Sequence, residues 1–264
     1  MGEARADRGD RAGGLGLALT VFSHGPRDST LSASGSALAE PRLAVLTAVR
    51  AAILAGEFAP NQRLVETDLC ERFGTSRFVA RSALQELAST GLVEFQRNRG
   101  ARVRDVSIDE AIEITEVRKL LEGLAARRAA ELVTPAEGEQ LRAALADIRL
   151  ALASGDVGQY RGLNARLHAM ISDIAAHATC ARLLRQLSDQ TARHRFSLSL
   201  IPSRAAVSLP QHEAILAAIT AHEPDSAERA MHAHLQTLID DFRSLKAQVT
   251  ATDRAQDSSK RYGL

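Results

Sequence analysis

From Pro41 the chain sets Leu43, Leu46, Val49, Ile53 and Leu54 at the three- and four-residue intervals of one helix face, and Gly56 with Pro60-Asn61 closes the run in a turn. A second, shorter run carries Leu69, Cys70 and Phe73 on one side and stops at Gly74, which can take the left-handed turn because it has no Cβ. Ser76 stands in the N-cap position of a third helix with the apolar stripe Val79, Ala83, Leu84 and Leu87. Beyond Gly91 the period shortens, and Leu92–Phe95 and Ala101–Val103 read as two short strands joined by Gln96-Arg97-Asn98-Arg99-Gly100. Helical periodicity then returns for the segment 107–249, as consecutive amphipathic helices near 107–132, 136–153, 157–176, 180–199, 205–221 and 225–248. Short polar or Pro/Gly breaks, with no internal repeat, favour an antiparallel bundle over a solenoid.

The expected organisation is therefore mainly α. A disordered extension over 1–40 is followed by a three-helix-plus-hairpin domain over 41–105, a helical bundle over 106–249 and a disordered tail over 250–264. The run Gly13–Ser23 superficially resembles the apolar part of an export signal, with Ala37-Leu38-Ala39 as a cleavage site. However, Glu3, Asp7 and Asp10 offset Arg5, Arg8 and Arg11 ahead of it. Cys70 and Cys180 lie in separate helical patterns without metal-type spacing, as buried thiols of a reducing compartment do. No apolar run reaches membrane-spanning length.

Charge changes the picture once it is divided along the chain. Residues 41–104 hold ten Lys/Arg against six Asp/Glu, whereas residues 105–246 hold sixteen against nineteen and seven of the eight histidines. A basic front and an acidic, histidine-rich back imply different partners. In the front, Arg77 and Arg81 are four residues apart near the N-terminus of the third helix, away from its apolar stripe, so they project outward together. Three helices and a basic hairpin describe a winged helix-turn-helix. Such a helix carries arginine forks to guanine edges, and cap hydroxyls and free N–H groups to phosphates, while the wing reaches a neighbouring phosphate or the minor groove. Thr75, Ser76, Arg77, Phe78, Arg81, Arg97, Asn98, Arg99 and Gly100 are the expected DNA-contacting set.

Residues 41–104 resemble the DNA-binding domain of GntR-type bacterial regulators. The carrying motifs are GEFAPNQRL (Gly56–Leu64), TSRFVARSAL (Thr75–Leu84), LASTGLV (Leu87–Val93) and NRGARV (Asn98–Val103). Asn61 departs from the family's usual Gly, Phe78-Val79-Ala80 from Thr-Pro-Val and Ser82 from Glu, while Thr67 stands where several relatives place an arginine. The resemblance implies DNA binding but not an operator sequence.

In the back segment, Asn164 and His168 are at i and i+4 on one helix, and His212 and His234 sit beside apolar residues on two further helices. Three histidines and an amide oxygen can thus meet in the core, whereas His177 and His232 point elsewhere. The stretches LNARLHAMI, LPQHEAILAAI and AMHAHLQTLI, with EVRKLLEGLAARRAA (Glu116–Ala130), are similar to the FCD effector domain of the FadR subfamily. That resemblance implies a divalent metal ion, such as zinc, nickel or manganese, on Asn164, His168, His212 and His234. Four neutral ligands leave the ion at +2, which favours a small carboxylate effector, with Arg118 as a second anchor or, alternatively, as the ion-pair partner of Glu122. A polar pocket that binds effector or water without metal is the other reading. Together these features imply a cytoplasmic, homodimeric regulator of double-stranded operator DNA, most simply a repressor. A dedicated metal sensor and a metal-dependent hydrolase are the alternatives, the latter lacking H-E-x-x-H and any nucleophile elbow.

Overall fold

A computed structural model describes residues 31–199 and 202–262. Its elements run α1 (Leu31–Leu54), β1 (Arg63–Leu64), α2 (Glu66–Phe73), α3 (Arg77–Ser89), β2 (Val93–Gln96), β3 (Gly100–Val103), α4 (Ile108–Leu132), α5 (Pro135–Ser154), α6 (Val157–Ile174), α7 (Ala178–Ser199), α8 (Pro202–Thr220) and α9 (Pro224–Tyr262). The fold is mainly α, with an N-terminal winged helix-turn-helix and a C-terminal all-helical bundle. Among the described residues no helix is long and apolar enough to cross a membrane.

The head closes over Val49, Leu69, Leu84, Leu87 and Val93, one apolar stripe from each helix and from β2. Gly74 ends α2 at φ +60°, and the Ser76 hydroxyl accepts the Val79 N–H at 3.3 Å to start α3, so the turn between them follows the local chemistry of Gly-Thr-Ser. β2 and β3 form the hairpin, with Asn98 and Gly100 both at positive φ in its tip. The two-residue β1 adds to β3 as a third antiparallel strand, Arg63 opposite Arg102, and is too short to leave a periodic signature. Asn61 occupies φ +62°, where glycine is usual and asparagine is among the few tolerated side chains, and its amide donates to Asp105 Oδ2 at 2.9 Å.

In the bundle, α4 is the central helix and packs against α6, α7, α8 and α9. Its start is capped by the Ser107 hydroxyl on the Glu110 N–H, and α5 opens with a full capping box, Thr134 with Glu137, and Pro135 in its first turn. The core joins Leu141, Ile148, Leu167, Ile171, Ile215, Ile219, Met231, Leu235 and Phe242.

The elements depart from expectation at their ends. α1 begins at Leu31, ten residues before Pro41, and carries that proline in its interior at the loss of one backbone hydrogen bond. α9 continues past 250 to Tyr262, because ATDRAQDSSKRY offers no glycine or proline to stop a helix before Gly263. α8 starts at Pro202, a residue suited to a first helical turn. The expected extension over 1–30, with its Gly13–Ser23 run, and residues 263–264 lie outside the described residues.

Phe242 is fully buried on α9, edge-on to His194 of α7 at 6.1 Å between ring centres. Phe242→Ala should lower unfolding stability by about 3–5 kcal/mol, read from urea denaturation.

Candidate functional site

On the head, two of the residues expected to meet DNA, Arg77 and Gly100, border one surface. Arg77 opens α3 and is exposed, and Phe78 beside it is 69% exposed. A shallow depression of about 240 Å³ is lined by Arg77, by Gly100 of the wing, and by Arg63, Glu66 and Thr67, so recognition helix and wing flank the same surface. Arg97, Asn98 and Arg99 are exposed at the hairpin tip. The Ser76 hydroxyl is already engaged in capping α3. Arg81 is held in a fork by Glu66, its Nε at 2.7 Å from Oε1 and its Nη2 at 3.2 Å from Oε2. Glu66 thus supplies, from α2, a carboxylate that Ser82 cannot. Arg63 escaped the sequence reading because its strand is only two residues long.

The second site lies inside the bundle. α6, α8 and α9 bring His168, His212 and His234 together, with ligand atoms all within 4.8 Å of one another. His168 Nδ1 lies 2.6 Å from a Glu122 oxygen, so it is the protonated nitrogen and Nε2 faces His212 Nε2 across 3.3 Å. His234 is fixed in the same sense, its Nδ1 donating to Gln211 Oε1 at 2.9 Å. The Oδ1 of Asn164, one turn before His168, is buried with no hydrogen-bond partner, as is His212 Nδ1. Burial, with the charges of His168 and Arg204, pulls His212 down to about 3, and burial with the neighbouring His212 and His168 puts His234 well below its ordinary value. Both rings are therefore neutral at pH 7, the form that ligates a cation.

These features fit a divalent ion. Two ring nitrogens at roughly 2.1 Å from one ion lie about 3.0–3.4 Å apart at octahedral to tetrahedral angles, and the observed 3.3 Å falls in that interval. The orphaned Asn164 oxygen is an additional hard donor beside them. Glu122 on His168 and Gln211 on His234 are the outer partners that orient ligating histidines.

A cavity of about 680 Å³ opens beside the cluster and is lined by Asn164, His168, His234, Arg118 and Glu122 among others. Arg118 faces it but is committed: it forms a buried ion pair with Glu122 and donates to Thr191 Oγ1 at 3.4 Å. Burial opposes the Glu122 charge, yet Arg118 and His168 prevail and hold the carboxyl well below the usual range. The ion pair expected as an alternative at the surface is thus a buried one. Glu122 and Gln211 were missed as site residues, although Glu122 stands four residues after Arg118 in the quoted motif. His177 instead accepts the Cys180 N–H at 3.3 Å, and His232 packs against Gly123, where a Cβ would come within 2.1 Å of its ring.

The cavity also borders the head. Arg50 of α1 lines it and grips Asp189 of α7 in a fork of 2.5 and 2.6 Å. Gln190 of α7 donates to the Thr90 carbonyl at 2.8 Å, at the end of α3.

A winged helix-turn-helix carried on a helical bundle with an internal cavity is the architecture of a DNA-binding transcription regulator. Residues 41–103 match the family described as "Bacterial regulatory proteins, gntR family", and residues 113–237 match the "FCD domain". The HTH-type transcriptional repressor RspR of Escherichia coli strain K12 is 28% identical over 190 residues, 72% of this chain and 83% of that protein. HTH-type transcriptional regulator LutR of Bacillus subtilis strain 168 is 28% identical over 206 residues, 70% of this chain and 93% of that protein. The solved structure of E. coli McbR/YncC shares the fold with a TM-score of 0.69 at 22% identity, over 78% of this chain and 98% of that one. The chain belongs to the GntR family of bacterial transcription regulators, with a C-terminal FCD domain.

Two outcomes follow from this geometry. Arg77→Ala should weaken binding to the cognate operator by about 1–3 kcal/mol if the side chain reads a base, measured by fluorescence anisotropy at fixed salt; unchanged affinity removes Arg77 from the interface. For chelator-stripped protein, the unfolded His212 takes a proton below about 6.5 while the folded one stays neutral until about 3. Stability is then full above pH 6.5 and falls with acidification, by on the order of 2 kcal/mol at pH 5 from this histidine alone. Urea midpoints at pH 7 and pH 5 check it, with His212→Gln showing the smaller loss.

Proposed function

We propose that the protein is a cytoplasmic homodimeric repressor that senses a small carboxylate through a divalent ion on His168, His212, His234 and Asn164. The observation that carries this reading is the convergence of three histidines, His212 and His234 of them neutral, and an orphaned amide oxygen on a cavity whose wall, α7, also grips the head. When bound, the ion supplies a Lewis-acidic positive centre that a carboxylate oxygen can complete. Zinc, nickel and manganese all suit a histidine and amide set. The residues do the rest: Glu122 and Gln211 aim the rings, and Arg118, its charge met by Glu122, edges the pocket.

The name of the E. coli relative as a repressor supports the sign of regulation. Val117, Leu120 and Leu124 form an exposed apolar stripe along α4, which supports self-association, and a two-fold dimer suits a palindromic operator. Thr75, Ser76, Arg77, Phe78, Arg81 and the wing residues Arg97, Asn98, Arg99 and Gly100 are the surface assigned to it. Effector occupancy reaches that surface through Arg50–Asp189 and Gln190–Thr90.

The deciding experiment is the metal content of untagged protein purified without chelator, beside operator affinity with and without added carboxylates. About one zinc, nickel or manganese per subunit is expected in the parent and little in His212→Ala/His234→Ala, with carboxylates shifting parent affinity by roughly 5- to 150-fold. Metal-dependent operator affinity that ignores carboxylates would make the ion itself the signal. A parent that takes up no metal on reconstitution, yet answers carboxylates, would make the same residues a metal-free pocket.

A further inference from the structure

Three charged residues stand in one row across the sheet of the head. Arg63 on β1 lies opposite Arg102 on β3, and Arg102 lies opposite Glu94 on β2. Residues directly opposite one another share a face, so Arg63, Arg102 and Glu94 follow each other along one side of the sheet. Arg102 donates through Nε to Glu94, which matches those two. Arg63 is left on the edge strand, exposed, with a like charge opposite it and no ion pair among the described residues. Like charges in such a pair work against the sheet. The backbone that carries Arg63 is nevertheless well fixed. Leu64 beside it is buried in the head core, the Asn61 N–H donates to the Val103 carbonyl at 3.0 Å, and the Val103 N–H donates to the Gln62 carbonyl at 2.9 Å.

The place to which this arginine is fixed lies between the recognition helix and the wing. Arg63 lines the depression of about 240 Å³ together with Arg77, Glu66 and Gly100. Arg77 likewise forms no ion pair among the described residues, whereas Glu66 is already taken up by the fork with Arg81. The depression therefore holds two uncommitted guanidinium groups and a carboxylate that is already matched. On the wing side it is open, since a Cβ at Gly100 would meet nothing within 4 Å. A helix in the major groove and a wing at the neighbouring minor groove straddle one sugar–phosphate strand, because a single strand separates adjacent grooves. A surface between helix and wing thus faces phosphates, not base edges.

We propose that the depression between β1, α3 and the wing seats one backbone phosphate of the bound duplex, and that Arg63 is the residue that holds it. This rests on the assignment of α3 and the wing to DNA made above and adds to it a contact from the sheet. The planar fork of an arginine matches two phosphate oxygens. Carried on a strand tied to β3, Arg63 sets the register of α3 on the duplex and contributes no sequence information of its own.

The test is the salt dependence of binding by the full chain, followed by fluorescence anisotropy on two probes: a duplex that the parent selects from a random pool, and an unrelated duplex of equal length. Arg63→Gln should lower the slope of log K against log salt by about 0.9 per head and weaken both probes by a common factor. Arg63→Lys keeps the cation and should restore most of that slope. Because Arg63 is exposed, urea midpoints of the parent and both variants should agree. An unchanged slope in Arg63→Gln overturns the phosphate seat and leaves the arginine as a guard of the sheet edge. A loss confined to the selected duplex also overturns it, by making Arg63 a base reader. If instead both Arg77→Ala and Arg97→Ala/Arg99→Ala leave the selected duplex bound as in the parent, the assignment of α3 and the wing to DNA falls, whatever Arg63 does.

Discussion

The interior of the bundle depends on a single buried carboxylate. Glu122 sits in the middle of α4, the helix against which α6, α7, α8 and α9 all pack, and its two oxygens face opposite duties. One meets Arg118 on the same helix, and the other accepts the hydrogen bond of His168 Nδ1–H from α6. Burying an anion is costly unless it is paired and fully hydrogen-bonded, and here the pairing is what makes the cost tolerable. Because Glu122 fixes the His168 tautomer, Nε2 must face His212 and His234, and the ring cannot turn its lone pair elsewhere without orphaning the carboxylate.

α7 connects this arrangement to the DNA-binding head. It lines the cavity through Ser188, Asp189 and Arg195, and the same helix holds Arg50, the Thr90 carbonyl and the Ser89 carbonyl of the head. The fit is close: at Gly91 even a methyl group would fall 2.6 Å from Gln190, with φ already at +77°.

Much of this was legible from residue order. Gly74-Thr75-Ser76, the stripe from Val79 to Leu87 and the Gly91 break wrote the head in local signals, and the structure follows them within a residue or two. The histidine cluster was legible because His168, His212 and His234 each sit on a strongly periodic helix, so their direction could be read without knowing how the helices pack. What packing alone decides was not. Nothing in the spacing of Arg118 and Glu122 distinguishes a solvated i,i+4 pair from a buried one, and Gln211 acquires meaning only when α8 and α9 converge. β1 was lost for want of length, and the far end of α9 because a polar composition was taken for disorder where no helix breaker was present.

On the proposed DNA surface, the fork between Arg81 and Glu66 acts as a threshold. An arginine standing free in water meets a phosphate by releasing counterions condensed on the DNA, and it does so on any stretch of duplex. One already clasped by a carboxylate of its own chain has a resident occupant to displace. A random phosphate offers no better geometry than the clasp, whereas a correctly spaced guanine edge, or a phosphate with its own escort of donors, does. Under the proposed assignment of Arg81 to the DNA surface, intramolecular competition of this kind lowers the background of indiscriminate sticking.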